Sequence, residues 1–452
     1  MWQQKISWLY RKFQGNNHLA ILARGATNSF MLKIIGTGVV FLVQVAGANL
    51  LGAEGYGIYA YSFAWMSMLA LLGQMGFDTA SVRYIAAYES QQQWGLLKGF
   101  LDYSNKAIAL MSLLAGVGLA VGAWLFRHQI TTDLLYSFYL AGLLLPVTTF
   151  LKIQHKRFLA LKQVFLAQFP MMVLRNLLIL GGLGLFSLTG IVVTPSHFMF
   201  LILLGTTSAL LVSWFYWHQA IADKIKNTIS QFERQEWLTT AQGMILVAGL
   251  EVVLSQSDTI MLGVITGTTE TGLYAAARKI SSLLVFPLLA VNSILSPMVV
   301  TLYTQKSQQQ LQKVVNVAVN GIFGLTLIIG LVIAFNGKFI LSLFGTEFSS
   351  SYFLLLIHLL GQLINGTAGP VSLLLNMTGY HNDTAKILLV SAVINVLLNI
   401  VLIPEFGAVG ASLATAIATI IWNVTMTIFV WQRLKIISVV MPAFLLPKIA
   451  KN

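Results

Sequence analysis

Cysteine is absent from this sequence, and charge is scarce: Asp, Glu, Lys and Arg together make 9% of 452 residues. Without cysteine there can be no disulfide, thiol nucleophile or thiolate metal site. The seven histidines (His18, His128, His155, His197, His218, His358 and His381) are scattered, with no pair at metal-ligand spacing. The acids expected on the outward side, Glu54, Asp133, Glu270, Glu347 and Glu405, are single and dispersed, so paired-carboxylate hydrolysis is not indicated. No short apolar run is followed by an A-x-A-like site, so no cleavable signal peptide is expected.

What fills the chain instead is apolar: 57% of residues are hydrophobic. That excludes an ordinary soluble domain. The apolar runs are long and continuous, not alternating ten-residue strands, so the fold class is an all-α integral membrane protein rather than a barrel. Twelve spans are expected, over 29–51, 57–77, 105–126, 134–154, 166–188, 196–219, 241–264, 273–301, 314–336, 349–376, 385–403 and 407–431. They divide the chain into a basic N-terminal segment (1–28), an N-lobe of six spans (29–220), a polar linker (221–240), a C-lobe of six spans (241–431) and a tail (432–452). In the first segment Trp2, Ile6, Leu9 and Phe13 share one side, as in a helix lying on an anionic membrane face; a frayed terminus is the alternative. Of 27 Lys and Arg, 21 fall on the side of the N-terminus, and only Arg127 and Lys338 fall in outward connections. This bias places both termini in the cytoplasm and accounts for most of the +13 net charge without nucleic acid. The longest outward connection runs only from about Gly337 to Phe348, too short for a catalytic domain, so the chain is not read as an enzyme.

Span seven carries the strongest signal. Met244 to Gly263 reads as a membrane helix, yet it holds Glu251 and Asp258, seven residues apart and therefore on one face, with Ser255 between them. The opposite face is Leu, Val and Ile, fit for lipid. Each carboxylate at mid-bilayer costs about 2.5–3.5 kcal/mol on insertion scales. The plain alternative is that each acid pairs with a neighbouring Arg or Lys; the functional one is a cation or proton site in a transporter. Other spans carry polar stripes: Lys33, Thr37 and Gln44 on span one, Gln168 and Arg175 on span five, Arg278, Ser281 and Asn292 on span eight with Pro287 bending it. Span eleven has Ser391, Asn395 and Asn399, and span twelve has Ser412, Thr415 and Thr419. Taken singly, the Ser, Thr and Asn positions fit helix–helix hydrogen bonds, and Lys33 and Arg278 sit near enough to a face to snorkel. Together, buried cations suit an anionic lipid-linked pyrophosphate, and acids beside amide and hydroxyl oxygens suit Na⁺ or H⁺.

Each half also opens alike. Leu51-Gly52 then Gly57-Ile58-Tyr59-Ala60 answers Leu262-Gly263 then Gly272-Leu273-Tyr274-Ala275, with glycines allowing a tight reversal. Six spans per half make these parallel repeats, an arrangement of alternating-access transporters.

The second half carries a series of soft motifs in a specific order: Leu343-Phe344-Gly345-Thr346-Glu347-Phe348, Leu375-Asn376-Met377-Thr378-Gly379, Asn395-Val396-Leu397-Leu398-Asn399, Ile403-Pro404, and Gly407-Ala408-Val409-Gly410-Ala411-Ser412-Leu413-Ala414-Thr415. This order resembles the O-antigen/polysaccharide flippase family of the multidrug/oligosaccharidyl-lipid/polysaccharide exporter superfamily, over nearly the whole chain. The resemblance implies a V-shaped, MATE-like fold of two six-helix lobes in a bacterial inner membrane. It implies flipping of an undecaprenyl-pyrophosphate-linked oligosaccharide from the cytoplasmic to the periplasmic leaflet, with membrane lipids and polysaccharide polymerase machinery as partners; a multidrug/cation antiporter of the same superfamily is the alternative. By the pattern of relatives that flip the peptidoglycan lipid precursor, Asp258, Asn395, Asn399 and Thr415 would hold Na⁺, although Asn399 stands where they carry an acid, which leaves H⁺ open. Lys33 and Arg278 match their cavity arginines, and Glu251 has no counterpart. The expected substrate-binding set is thus Lys33, Gln44, Arg175 and Arg278, and the ion-coupling set Glu251, Asp258, Asn395, Asn399 and Thr415, with no cofactor beyond the coupling ion.

Overall fold

The computed structural model describes residues 17–226 and 228–440, with side chains from residue 32 onward apart from 223, 246 and 247. Most of the expected surface helix over 1–28, and the end of the tail, lie outside the described residues. Every described element is a helix, as lipid requires of a chain that must satisfy its own backbone. In order they are α1 Asn17–Gln74, α2 Phe77–Ser90, α3 Trp94–Leu125, α4 Thr132–Ala160, α5 Val164–Thr189, α6 Pro195–Ile225, α7 Arg234–Ile265, α8 Thr268–Thr304, α9 Gln308–Ser342, α10 Thr346–Ala368, α11 Val371–Met377 and α12 His381–Leu434. Ten are long and apolar enough to cross a membrane. Of these, α1 and α12 each break at a glycine, Gly52 (φ 71°, ψ 178°) and Gly407 (φ 53°, ψ −132°). Divided there, they give the twelve expected crossings.

Two differences from the sequence reading concern the inner end. The linker expected over 221–240 shrinks, because α6 runs to Ile225 and α7 starts at Arg234. Trp237 holds that polar first turn helical: it is fully buried, stands edge-on to Phe100 at 5.4 Å, and donates Nε1–H to the Tyr88 hydroxyl at 2.9 Å. Helix α2 occupies what reads as an inward connection. It buries Phe77, Ala80, Ser81, Tyr84, Ile85 and Tyr88, a helical period in a stretch too polar to span. Tyr84 and Tyr88 donate to Glu236 and Glu233 on α7 and just before it, at 3.1 and 3.0 Å. Burial pushes both phenols up, so they keep the protons they donate.

At the opposite end, marked outer by the Lys and Arg bias, the lobes cross backbone to backbone. A Cβ on Gly57 would fall 1.7 Å from the Thr268 carbonyl oxygen, and one on Gly272 would fall 2.0 Å from that of Ala53. The two repeat glycines are therefore the crossing point of α1 and α8. The first half of α8 packs on α1, whereas its second half packs on α9 and α11 of its own lobe, so the lobes part along α8 away from the crossing. The helix starts after the two breaks are capped from other helices: Glu347 Oε1 accepts from Ala53 N at 2.6 Å, and Glu270 Oε2 from Ala408 N at 2.7 Å. Beside Glu347, Phe344 and Phe348 are fully buried and meet Tyr56 edge-on at 6.4 and 5.9 Å. The reversal expected at Gly263 falls instead at Gly267 (φ 95°). Gly263 stays inside α7 because a Cβ there would lie 2.2 Å from the Tyr61 ring.

Gly57→Ala should therefore overpack the crossing and cost about 1–3 kcal/mol, read as a lower melting temperature in detergent. Gly118→Ala, where a Cβ meets nothing within 4 Å, should not lower it. Equal behaviour of the two variants would contradict the backbone crossing.

Candidate functional site

The C-lobe builds a buried carboxylate site. Asp258 on α7 is fully buried. Its Oδ1 accepts from Asn399 Nδ2, and its Oδ2 accepts from Thr415 Oγ1 at 2.7 Å and from the Tyr274 hydroxyl at 2.9 Å. Asn395 Oδ1 accepts from Asn399 Nδ2 at 3.3 Å and from Ser257 Oγ at 3.0 Å. Asn395 and Asn399 face inward together because i, i+4 positions share a helix face; both are buried, at 1% and 0% exposure. The break at Gly407 returns α12 alongside itself and brings Thr415 to the same carboxylate. The structure thus brings Asp258, Asn395, Asn399 and Thr415 together. It adds Tyr274, which the sequence reading missed as a site residue although it is the tyrosine of the repeated Gly-x-Tyr-Ala. The donor atoms are oxygens, the type that hard cations take, and Asn399 Oδ1 is buried with no hydrogen-bond partner among the described residues. Asp258, Asn395, Asn399 and Thr415 are the residues that could hold a small cation such as Na⁺.

Glu251 makes no hydrogen bond to this network among the described residues, although the cavity it lines also includes Asn395 and Thr415. Two helical turns, about 10.5 Å of rise, separate it from Asp258. It is exposed and lines a C-lobe cavity of about 440 Å³, together with Arg278, Ser281, Asn292, Asn365 and Thr419. Arg278 Nη1 donates to the Ser255 carbonyl, so a cation sits between the two acids. Arg278, Ser281 and Asn292 do share one side, and α8 bends between them through a 3₁₀ turn at Ser282–Val285, just before Pro287. The face of α7 opposite Glu251 is not all lipid-facing: Ile260 is 9% exposed, because α7 packs along α1.

In the N-lobe, a π-helical turn at Phe169–Leu174 directly precedes Arg175. Such a turn leaves carbonyls without helical partners and recurs at functional sites. Here Asn176 Nδ2 donates to Met172 O at 2.9 Å and to Met171 O at 3.3 Å. Gly205 of α6 lets that helix close on the Arg175 backbone, whose oxygen would lie 2.8 Å from a Cβ there. Arg175 is half-buried, its Nε without a partner among the described residues, and it lies within electrostatic reach of Tyr59. Gln44 accepts from the Tyr56 hydroxyl at 2.9 Å and donates to the Tyr59 hydroxyl at 3.3 Å. The repeat tyrosines both sit at polar sites: Tyr59 accepts from Gln44, and Tyr274 donates to Asp258.

Lys279, which the sequence reading left unassigned, joins the halves. It lies within electrostatic reach of both Arg175 and Arg278, and Arg175 reaches Lys152 on α4. Cations therefore come from both lobes, not mainly the first. Among the described residues, Arg175, Arg278 and Lys279 form no ion pair; Asp78 lies in reach of Lys152, and Lys156 in reach of Glu251. Lys33 is exposed on α1, in reach of His155. Lys33 is not among the residues lining the C-lobe cavity with Arg278.

Comparison with known proteins bears on the whole chain. Residues 22–303 match the family profile described as polysaccharide biosynthesis protein, and residues 244–401 match that described as MatE. Two Haloferax volcanii proteins match: the probable low-salt glycan biosynthesis flippase Agl15, 24% identical over 172 residues covering 36% of this chain, and the probable flippase AglR, 28% identical over 166 residues, again 36% of this chain. The matched part spans about a third of each relative, 35% and 34%. Among solved structures, an inward-facing multidrug resistance MATE family transporter of the MOP superfamily superposes with a TM-score of 0.73 at 15% identity, covering 88% of this chain and 94% of its own. The lipid II flippase MurJ superposes at 0.63 with 17% identity, covering 94% of this chain and 90% of its own. A MOP superfamily transporter from Pyrococcus furiosus gives 0.63 at 15%, covering 92% and 96%. The fold is MATE-like.

If three donors share the Asp258 carboxylate, Tyr274→Phe should cost about 0.6–1.7 kcal/mol, as for other hydrogen bonds between membrane helices. Combined with Thr415→Val, the loss of melting temperature should differ from the sum of the singles; strict additivity would contradict a shared carboxylate.

Proposed function

This chain belongs to the polysaccharide biosynthesis protein family, and from that premise we propose that it is a flippase for a lipid-linked oligosaccharide. On this reading it carries an undecaprenyl-pyrophosphate-linked repeat unit of an O-antigen, capsule or exopolysaccharide from the cytoplasmic to the outer leaflet of a bacterial inner membrane, by ion-coupled alternating access. It makes and breaks no covalent bond, and it hands its cargo to polysaccharide polymerase machinery. The names of the two Haloferax relatives agree in kind.

The observation that carries this reading is the cluster of Arg175, Lys279 and Arg278, drawn from both lobes and without carboxylate partners among the described residues. Unpaired cations inside a membrane protein are costly and mark a substrate path. A pyrophosphate supplies the missing negative charge, and guanidinium forks fit its oxygens. An apolar opening of about 460 Å³ lies between α1 and α8–α9, lined by Ile34, Gly38, Phe41, Leu283, Phe286 and Ile329. It suits the polyprenyl tail while the polar head sits between the lobes.

Coupling follows from the spacing of Tyr274 and Arg278, one turn apart on one face of α8. A bound cation or a proton supplies positive charge at the Asp258 carboxylate. Asp258 so neutralised accepts less strongly from Tyr274, and the outer half of α8 gains freedom to move Arg278 with it. The antiporter reading draws on Glu251 lining the cavity, but Arg278 in the same cavity opposes a cationic cargo.

Arg175→Ala and Arg278→Ala should each cut surface polysaccharide at least tenfold while the protein inserts normally; normal polymer from both would remove the cationic path. In reconstituted vesicles, Asp258→Asn should lose the response of translocation to Na⁺ and pH gradients that the wild type shows. A mutant that still responds would place coupling elsewhere, and drug resistance on expression would favour the antiporter.

A further inference from the structure

A second cavity lies wholly within the N-lobe, and neither Arg175, Arg278 nor Lys279 lines it. It is a groove of about 1020 Å³ between α3 and α6, with α4 as its floor, at the end of the molecule that carries the linker. None of its walls belongs to the C-lobe, so the proposed transport path does not use it.

The groove has a charged end and an apolar end. Four cations line the charged end, Lys98, Lys106, Arg157 and Lys226, against one acid, Asp102. Asp102 is taken up by Ser230 of the linker, whose hydroxyl donates to it at 2.8 Å, and Lys98 donates to the Thr228 carbonyl at 2.8 Å. Arg157 is the unusual member. It is 2% exposed, yet its side-chain partners are neutral: Nη2 donates to Asn105 Oδ1 at 2.7 Å and to Ser104 Oγ at 3.2 Å. Its Nε is buried with no partner among the described residues, and its guanidinium lies 5.8 Å from the Trp217 ring centre. Gln154, one turn earlier on α4 and 4% exposed, also lines the groove, and its Oε1 has no partner among the described residues. Lys106 and Lys226 stand exposed at the rim, and the ion pairs among the described residues involve neither. A buried guanidinium answered only by neutral groups is expensive unless an anion completes it.

Away from this end the lining turns apolar, through Ala109, Leu210, Leu211 and Trp214. Leu211 and Trp214 are 60% and 54% exposed. They continue into the lipid-facing surface of α3, where Leu110, Leu113 and Leu114 are also exposed. Trp214 and His218 pack ring against ring at 4.5 Å, the kind of amphipathic pair that sits at headgroup level. Charge at one end, acyl-chain contact at the other and an aromatic boundary between them describe a lipid lying along the helices.

We propose that this groove seats one anionic phospholipid of the inner leaflet, its phosphate held by Arg157, Lys106 and Lys226, a headgroup hydroxyl donating to Gln154 Oε1, and an acyl chain along Leu210, Leu211 and Trp214. The seat ties α3, α4 and α6 to the bilayer at the end where the linker packs.

The test uses the full chain in detergent, read by native mass spectrometry and thermal melting, with phosphatidylglycerol, phosphatidylcholine, inorganic phosphate and undecaprenyl pyrophosphate as separate probes. Phosphatidylglycerol should bind with at least one specific copy and raise the melting temperature, while phosphatidylcholine and inorganic phosphate should do neither. Lys106→Ala with Lys226→Ala, both at exposed and unpaired positions, should leave the melting temperature in phosphatidylcholine unchanged and weaken phosphatidylglycerol binding roughly thirtyfold. Arg157→Lys should weaken it while keeping the fold. Undiminished phosphatidylglycerol binding by these variants, equal binding of phosphatidylcholine, or displacement of phosphatidylglycerol by undecaprenyl pyrophosphate would each overturn the proposal, the last by giving the groove to the carrier lipid.

Discussion

The architecture depends on one contact, the backbone crossing of α1 and α8 at Gly57 and Gly272. Two helices from different lobes approach there closer than any side chain would allow, as small residues permit between membrane helices. Glu347 and the Phe344–Phe348–Tyr56 cluster close the same end. In this state the lobes meet at one end and part along α8 beyond it. The cations and the apolar opening between α1 and α8 lie where the helices part.

The same repeat motif that makes the crossing also supplies each lobe with a tyrosine at its polar centre. Tyr59 accepts from Gln44 and lies within electrostatic reach of Arg175, and Tyr274 donates to Asp258. The repeated element thus stands near a cation in one lobe and against an anion in the other. The carboxylate is costly in lipid, and three donors, from α8 and from the two halves of α12, offset that cost. Removing its charge must therefore change the balance of forces on α8 and α12, of which α8 also forms the crossing.

Much of this was legible in the residues. Long apolar runs gave the twelve crossings, and the i, i+4 spacing of Asn395 and Asn399 placed them on one face. Other features were hidden for physical reasons. Helix α2 and the first turn of α7 are polar in composition, and become ordered only through burial of Tyr84, Tyr88 and Trp237 against each other. Spacing puts Glu251 and Asp258 on one face, but not at one depth, and depth separates a buried ligand from a cavity-lining acid. The π-helical turn before Arg175 leaves no mark in composition, although Pro170 stands within it. Tyr274 was visible in the repeat, but as a copy of Tyr59 rather than as a partner of Asp258, because the carboxylate site is completed by Asn399 and Thr415, 141 and 157 residues further along the chain.

The central claim is that the charge state of Asp258 sets which end of the two-lobe structure is open. The absence of cysteine makes paired spin labels direct: Glu54→Cys with Glu405→Cys reports the outer end, and Gln91→Cys with Gln305→Cys the inner end, all at exposed positions. Measured across Na⁺ concentration and pH, the two distances should change in opposite senses in the wild type, and in Asp258→Asn they should stay fixed. Distances that ignore Na⁺ and pH in the wild type, or that still respond to them in Asp258→Asn, would contradict the account.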